Sequence, residues 1–72
     1  MLYLVTIQKL KDGSNPISIF SYNESEAFSA YHSTLASCYA NSNLSYFCVS
    51  LIDELGNSRM TENHTNVEND ED

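Results

Sequence analysis

The chain has 72 residues and a mass of 8.1 kDa, with 10 Asp and Glu against 3 Lys and Arg, which is enough for one small core and no second. A domain of this size buries only roughly 60% of the surface its unfolded chain exposes, so a deep substrate cavity with supporting shells is hard to build, and the chain reads as a non-enzyme. Its 42% hydrophobic and 11% aromatic residues supply enough apolar surface to offset the entropy of ordering, which excludes a wholly disordered chain.

Tyr3, Val5 and Ile7 alternate with Leu2, Leu4, Thr6 and Gln8, a strand pattern, and Asp12-Gly13 with Asn15-Pro16 supplies the turn chemistry that follows. Ile17 to Tyr22 is predicted as the second strand of a hairpin. Asn23 then offers a side-chain oxygen as N-cap, with Glu26 three residues on, the spacing of a capping box. A helix is expected over about Ser25 to Ala40, because Ala27, Phe28, Tyr31, Leu35, Cys38 and Tyr39 recur at three and four residues before Asn41-Ser42-Asn43. Leu44 to Ile52 is apolar on both alternating faces, as in a central strand. Asp53 to Asn57 reads as a turn, and Ser58 to Thr61 as a short edge strand in which Arg59 discourages further pairing.

Charge divides at that point. Residues 1–61 hold five carboxylates against three bases, whereas residues 62–72 hold five carboxylates and no base, so the expected organisation is one domain over 1–61 and an acidic disordered tail over 62–72.

The element order predicts an α+β fold: a four-stranded antiparallel sheet, ββαββ, of order 2-1-3-4, with one helix on one face. The alternative order 1-2-3-4 needs a parallel pair. The expected core joins Phe28, Tyr31, Leu35 and Cys38 of the helix to Val5, Ile7, Phe47, Val49 and Leu51, the strand sets being exchangeable for their opposite faces. Apolar residues on both faces of the sheet leave one side for the helix and loops to wrap, or for a second copy or another protein to cover.

A basic stripe is absent, which argues against direct nucleic-acid binding and against an anionic membrane surface. The longest apolar runs, Leu2 to Val5 and Phe47 to Ile52, are far short of the roughly 20 residues that span a bilayer. Met1 to Val5 has no basic leader and is interrupted by Thr6, Gln8 and Lys9, so no signal peptide is read and the expected compartment is cytoplasmic. Asn23, Asn43 and Asn63 begin glycosylation sequons that this compartment leaves unused.

Chemistry-bearing candidates are few. His32 on the helix and His64 in the tail share no metal-ligand spacing, and no cofactor is expected. Cys38 and Cys48 lack a C-x-x-C spacing and are expected as a buried pair of free thiols, reduced in a cytosolic setting. A Cys38–His32 dyad fails because six residues turn a helix by roughly 240°. Ser25, Ser29, Ser33 and Ser37 recur every four residues as a ridge of short side chains, which reads as a solvated face or as a surface another backbone can approach. These four serines, with Arg59 of the edge strand and Glu62 at the start of the tail, are the candidate partner-binding residues, the partner being a protein or a second copy.

Tyr3-Leu4-Val5-Thr6-Ile7, the Asp12-Gly13 turn, Phe20-Ser21-Tyr22, Glu26-Ala27-Phe28 with Tyr31-His32, and Ile52-Asp53-Glu54-Leu55-Gly56-Asn57 resemble small ββαββ-type proteins of phages and prophages of gut bacteria. The resemblance covers about residues 2–60. It implies a mobile-element origin and a bacterial host cytoplasm, and it carries no function to transfer residue by residue. Two functions are therefore weighed: a non-enzymatic protein-interaction module, and an acidic anti-defence inhibitor of the anti-CRISPR kind that occupies the basic cleft of a nucleic-acid-handling enzyme. Rows of carboxylates at phosphate-like spacing on a rigid surface would mark the second.

Overall fold

The computed structural model describes residues 1–65. The elements run β1 (Leu2–Leu10), β2 (Ile17–Tyr22), α1 (Glu24–Ala40), β3 (Leu44–Asp53) and β4 (Ser58–Thr65). The four strands form one antiparallel sheet of order β2-β1-β3-β4 with the helix on one face, the ββαββ arrangement expected from the element order.

Each junction has a local cause. Between β1 and β2, Asp12 accepts a hydrogen bond from the Ser14 N–H at 2.9 Å, and Gly13 takes φ 98°, a conformation that favours glycine. Asn23 caps α1 by accepting the Glu26 N–H at 3.0 Å, as the capping spacing predicts. At the other end Asn41 donates its N–H to the Cys38 carbonyl at 3.2 Å and accepts from the Asn43 N–H at 3.0 Å, which stops the helix and redirects the chain into β3. The β3–β4 turn closes on Asp53, whose carboxylate accepts from Leu55 N–H at 3.0 Å and Asn57 N–H at 2.9 Å, while Gly56 takes φ 87°.

The Asn57 hydrogen bond is the main cause that holds the Asp53 carboxyl below its ordinary value, with the bond from Leu55 and the charge of Arg59 acting the same way. A carboxyl depressed in the folded state contributes stability above its unfolded pKa and loses it as pH falls through the folded one. Asp53→Asn is therefore expected to melt below the wild type at neutral pH, with the two melting temperatures converging below the ordinary Asp range. A gap of constant size from neutral to strongly acidic solution would reject this.

The core lies between α1 and the central strands. Ala27, Tyr31, Leu35 and Cys38 of the helix meet Leu2 and Leu4 of β1 and Leu44, Phe47, Val49 and Leu51 of β3, all at most 8% exposed. Phe28 is half-buried at its margin. The expectation that Val5 and Ile7 face the helix together with Phe47, Val49 and Leu51 is corrected. The register sets Leu4 opposite Leu51, Thr6 opposite Val49 and Gln8 opposite Phe47, so even-numbered residues of β1 share a face with odd-numbered residues of β3. Val5 and Ile7 fall on the far side of the sheet, where Ile7 is 38% exposed.

The domain boundary also moves. β4 continues through Glu62, Asn63, His64 and Thr65, four residues that were expected in the acidic tail. The extension has partners: the Tyr39 hydroxyl donates to the Glu62 carboxylate, and the His64 ring lies 5.3 Å from Tyr39 and 5.8 Å from Phe47. The rest of the expected tail, residues 66–72, lies outside the described residues.

Candidate functional site

Period two divides every strand between two environments. Toward the helix stand the core residues. Away from it stand Tyr3, Val5 and Ile7 of β1, Ile17 and Ile19 of β2, Tyr46, Cys48, Ser50 and Ile52 of β3, and Thr61, Asn63 and Thr65 of β4. Among the described residues nothing packs over this second face.

The face has two halves. On the β1–β2 side Ile17 is 62% and Ile19 63% exposed, next to Ile7 and the half-buried Val5, so large aliphatic side chains stand in water as a group. On the β3–β4 side the surface is polar, with Ser50 and Thr61 hydroxyls bonded at 2.8 Å and the Cys48 thiol within 3.8 Å of Ser50 and 4.0 Å of Thr61. The strand carboxylates stay off it: Glu62 turns to Tyr39 on the helix side, and Asp53 is held by the β3–β4 turn.

The residues expected to bind a partner lie on or beside α1. Ser25, Ser29, Ser33 and Ser37 are all exposed along α1, on the side of the molecule opposite the open sheet face, and the Ser25 hydroxyl donates to the Asn23 side chain at 2.9 Å. Arg59 sits at the start of β4, where its guanidinium lies 3.6 Å from Glu24 at the start of α1, an exposed ion pair of small energetic weight. Glu62 pins the far end of β4 to Tyr39 near the end of α1. The serines form one ridge along α1, and Arg59 and Glu62 contact opposite ends of that helix.

The Glu62 contact has a titration signature. Its hydrogen bond is the main cause that raises the Tyr39 phenol above the ordinary value, with desolvation adding to it. A group raised on folding contributes stability below its unfolded pKa and loses it as pH climbs through the folded one, so alkaline solution is expected to release this end of β4. Glu62→Gln should bring the phenolate absorbance of Tyr39, isolated by difference against Tyr39→Phe, to lower pH. An unchanged titration of Tyr39 would show that the carboxylate does not hold the phenol.

The thiols are not paired. Cys38 is buried on the helix side, where Gln8 Nε2 donates to its Sγ at 3.6 Å, and Cys48 is half-buried on the open face; both are free. Phe47 and Val49 take the helix side of β3, so alternation sends Cys48 the other way and the expected buried pair does not form. His32 is exposed on α1 against Tyr31, with ring centroids 5.3 Å apart, remote in sequence and element from His64 in β4.

Depressions of about 150, 200 and 350 Å³ indent the described surface. The first lies at the Tyr39, Phe47 and His64 cluster, the second beside Glu24 and Arg59, and the third at the β1–β2 turn around Lys11 and Asp12. The first two fall short of the roughly 300–1,000 Å³ of small-molecule sites, and the third sits near the small end of that range. Among the described residues no three His, Cys, Asp or Glu side chains converge as a metal site requires. None of their helices is long and apolar enough to cross a membrane.

The sequence reading missed Ile17 and Ile19 as surface residues of interest. The available signal was the lack of any charge from Ile17 to Tyr22, on a strand that the predicted order already put at the sheet edge. The chain matches no family model, no curated protein and no solved structure.

Proposed function

We propose that this chain is a small non-enzymatic interaction module, a phage or prophage accessory protein of the kind its resemblance implies, that works by presenting the open face of its sheet to a protein partner or to itself. One observation carries this reading: Ile7, Ile17 and Ile19 stand 38%, 62% and 63% exposed as neighbours on a face that no described element covers. Apolar area removed from water contributes about 25 cal/mol per Å², so a partner that seats here gains what the fold itself leaves unused.

The inhibitor reading has less support. Phosphate mimicry needs a row of free carboxylates. Glu24, Asp53 and Glu54 do line one depression, but Arg59 sits among them and pairs with Glu24, Asp53 is held by its own turn, Asp12 lies at the β1–β2 turn and Glu62 is bonded to Tyr39.

The test is affinity capture of the tagged protein from its bacterial host, with the co-eluting protein identified and its binding repeated on purified components. Ile7→Lys is expected to abolish that binding, and Ser33→Lys on the helix ridge to leave it intact. Binding lost with Ser33→Lys and kept with Ile7→Lys would move the contact to the helix. A nuclease whose activity falls on binding would favour the inhibitor.

A further inference from the structure

The hydrogen bond from the Gln8 N–H to the Pro16 carbonyl, at 3.0 Å, sets the phase of the β1–β2 ladder. In an antiparallel pair such bonds recur at every second residue. Ser18, Phe20 and Tyr22, opposite Thr6, Leu4 and Leu2, therefore bond back to β1, and the N–H and C=O groups of Ile17, Ile19 and Ser21 point off the edge of the sheet. Pro16 lies in the β1-facing phase, so its missing donor removes nothing from that outer edge.

Three features set this edge apart. No residue from Ile17 to Tyr22 is charged, in a chain of net charge −7. Large apolar side chains are exposed on both of its faces, Ile17 and Ile19 on the open side and Phe20, 55% exposed, on the helix side. The other edge is guarded in the usual ways: β4 carries Arg59 and Glu62, and its register shifts beside Ile52.

We infer that β2 is a self-pairing edge, along which a second copy of this chain adds antiparallel about a two-fold axis through Ile19, joining two sheets into one of eight strands. The inference rests on the interaction-module reading and commits its partner. The register follows from the outward groups. With Ile19 opposite the partner's Ile19, Ile17 lies opposite the partner's Ser21 and Ser21 opposite the partner's Ile17, so every outward-pointing N–H and C=O of β2 is used. A shift of two residues either way strands Ser21 or Ile17.

The side chains agree with that register. On the open face the isoleucines of the two copies meet across the axis, continuous with Val5 and Ile7 of each. On the helix face Phe20 lies over the partner's Ser18, a small neighbour that leaves room for the ring, with the partner's Phe20 on the diagonal. Charge points to a copy over a foreign strand. Two chains of net charge −7 repel except where both are neutral, and an oppositely charged partner would find no carboxylate on this strand to pair with.

The test combines sedimentation over a range of protein concentrations with amide hydrogen exchange at its two ends. The expected result is a concentration-dependent dimer in which the Ile17, Ile19 and Ser21 amides slow with association while those of Thr61 and Asn63 on the β4 edge do not. Ile19→Pro removes only an outward donor, so it should retain the β1–β2 ladder and lose the dimer; Ile19→Lys, which leaves the backbone donor in place, should lose it by charge. A strict monomer, or a dimer unaffected by either substitution with the β2 amides still fast, overturns the inference. A monomer that binds its partner through Ile7 would overturn the self-pairing alone and leave the open-face reading standing, whereas a monomer that binds nothing overturns both.

Discussion

Phe47→Ala is expected to destabilise the domain by about 3–5 kcal/mol, the range for removing a buried aromatic ring. Phe47 is 2% exposed on the helix side of β3, opposite Gln8 and His64. Its ring meets Tyr39 edge-on at 5.0 Å and His64 at 5.8 Å, so the truncation empties a core position and unseats the cluster that ties β4 to the end of α1. At roughly 0.05–0.15 kcal/mol per residue, a domain of 72 residues holds on the order of 4–11 kcal/mol, and this one change removes a large share of it. Each kcal/mol moves the melting temperature of so small a domain by about 4–8 °C, so a fall of about 12 °C or more is expected. A melting temperature within about 2 °C of the wild type would refute the placement of Phe47 in the core.

The second large effect separates the two faces of one strand. Leu4→Ala is expected to cost about 2–5 kcal/mol, because Leu4 is 2% exposed between Phe20 and Leu51 under the helix and its loss leaves a cavity the packed neighbours refill only in part. Ile7→Ala, three residues along β1, removes a side chain 38% exposed on the uncovered face and should cost much the less of the two. Chemical denaturation of both variants decides the matter: equal losses, or a larger loss at Ile7, would mean that the helix packs on the other side of the sheet or that a partner already covers Ile7. The second cause is separable, because a loss through a partner depends on protein concentration and a loss through the core does not.

Much of the candidate surface was legible as a question and little as an answer. Apolar residues on both faces of Leu2–Leu10 and of Leu44–Asp53, with a single helix to cover them, announced an uncovered side. Which residues stand on it could not be read locally. The serine ridge drew attention by its spacing of four, which is a property of the helix alone, and it stands exposed on the side of the molecule away from the open face. Glu62 was assigned to the tail by its polar surroundings; its partner Tyr39 is 23 residues away in sequence.

Local signals along the chain were enough for the elements and their order: the Asp12-Gly13 turn, the Asn23 cap with Glu26, the three-and-four spacing of Ala27, Tyr31, Leu35 and Cys38, and the doubly apolar strand from Leu44. These signals act within a few residues, where backbone hydrogen bonds and side-chain periodicity leave few choices, and they carry the strand order with them because antiparallel neighbours on either side of one helix admit few arrangements. Three features depend on contacts between residues far apart in the chain. The β1–β3 register, which pairs Leu4 with Leu51, turned Leu2 and Leu4 inward and Val5 and Ile7 outward, since either alternating set was apolar enough to be buried. The same register carried Cys48 away from Cys38. The end of β4 was decided by Tyr39 and Phe47, which offer Glu62 and His64 partners that no local pattern encodes, because contacts closed by the fold reward residues whose own neighbourhood in sequence is indifferent.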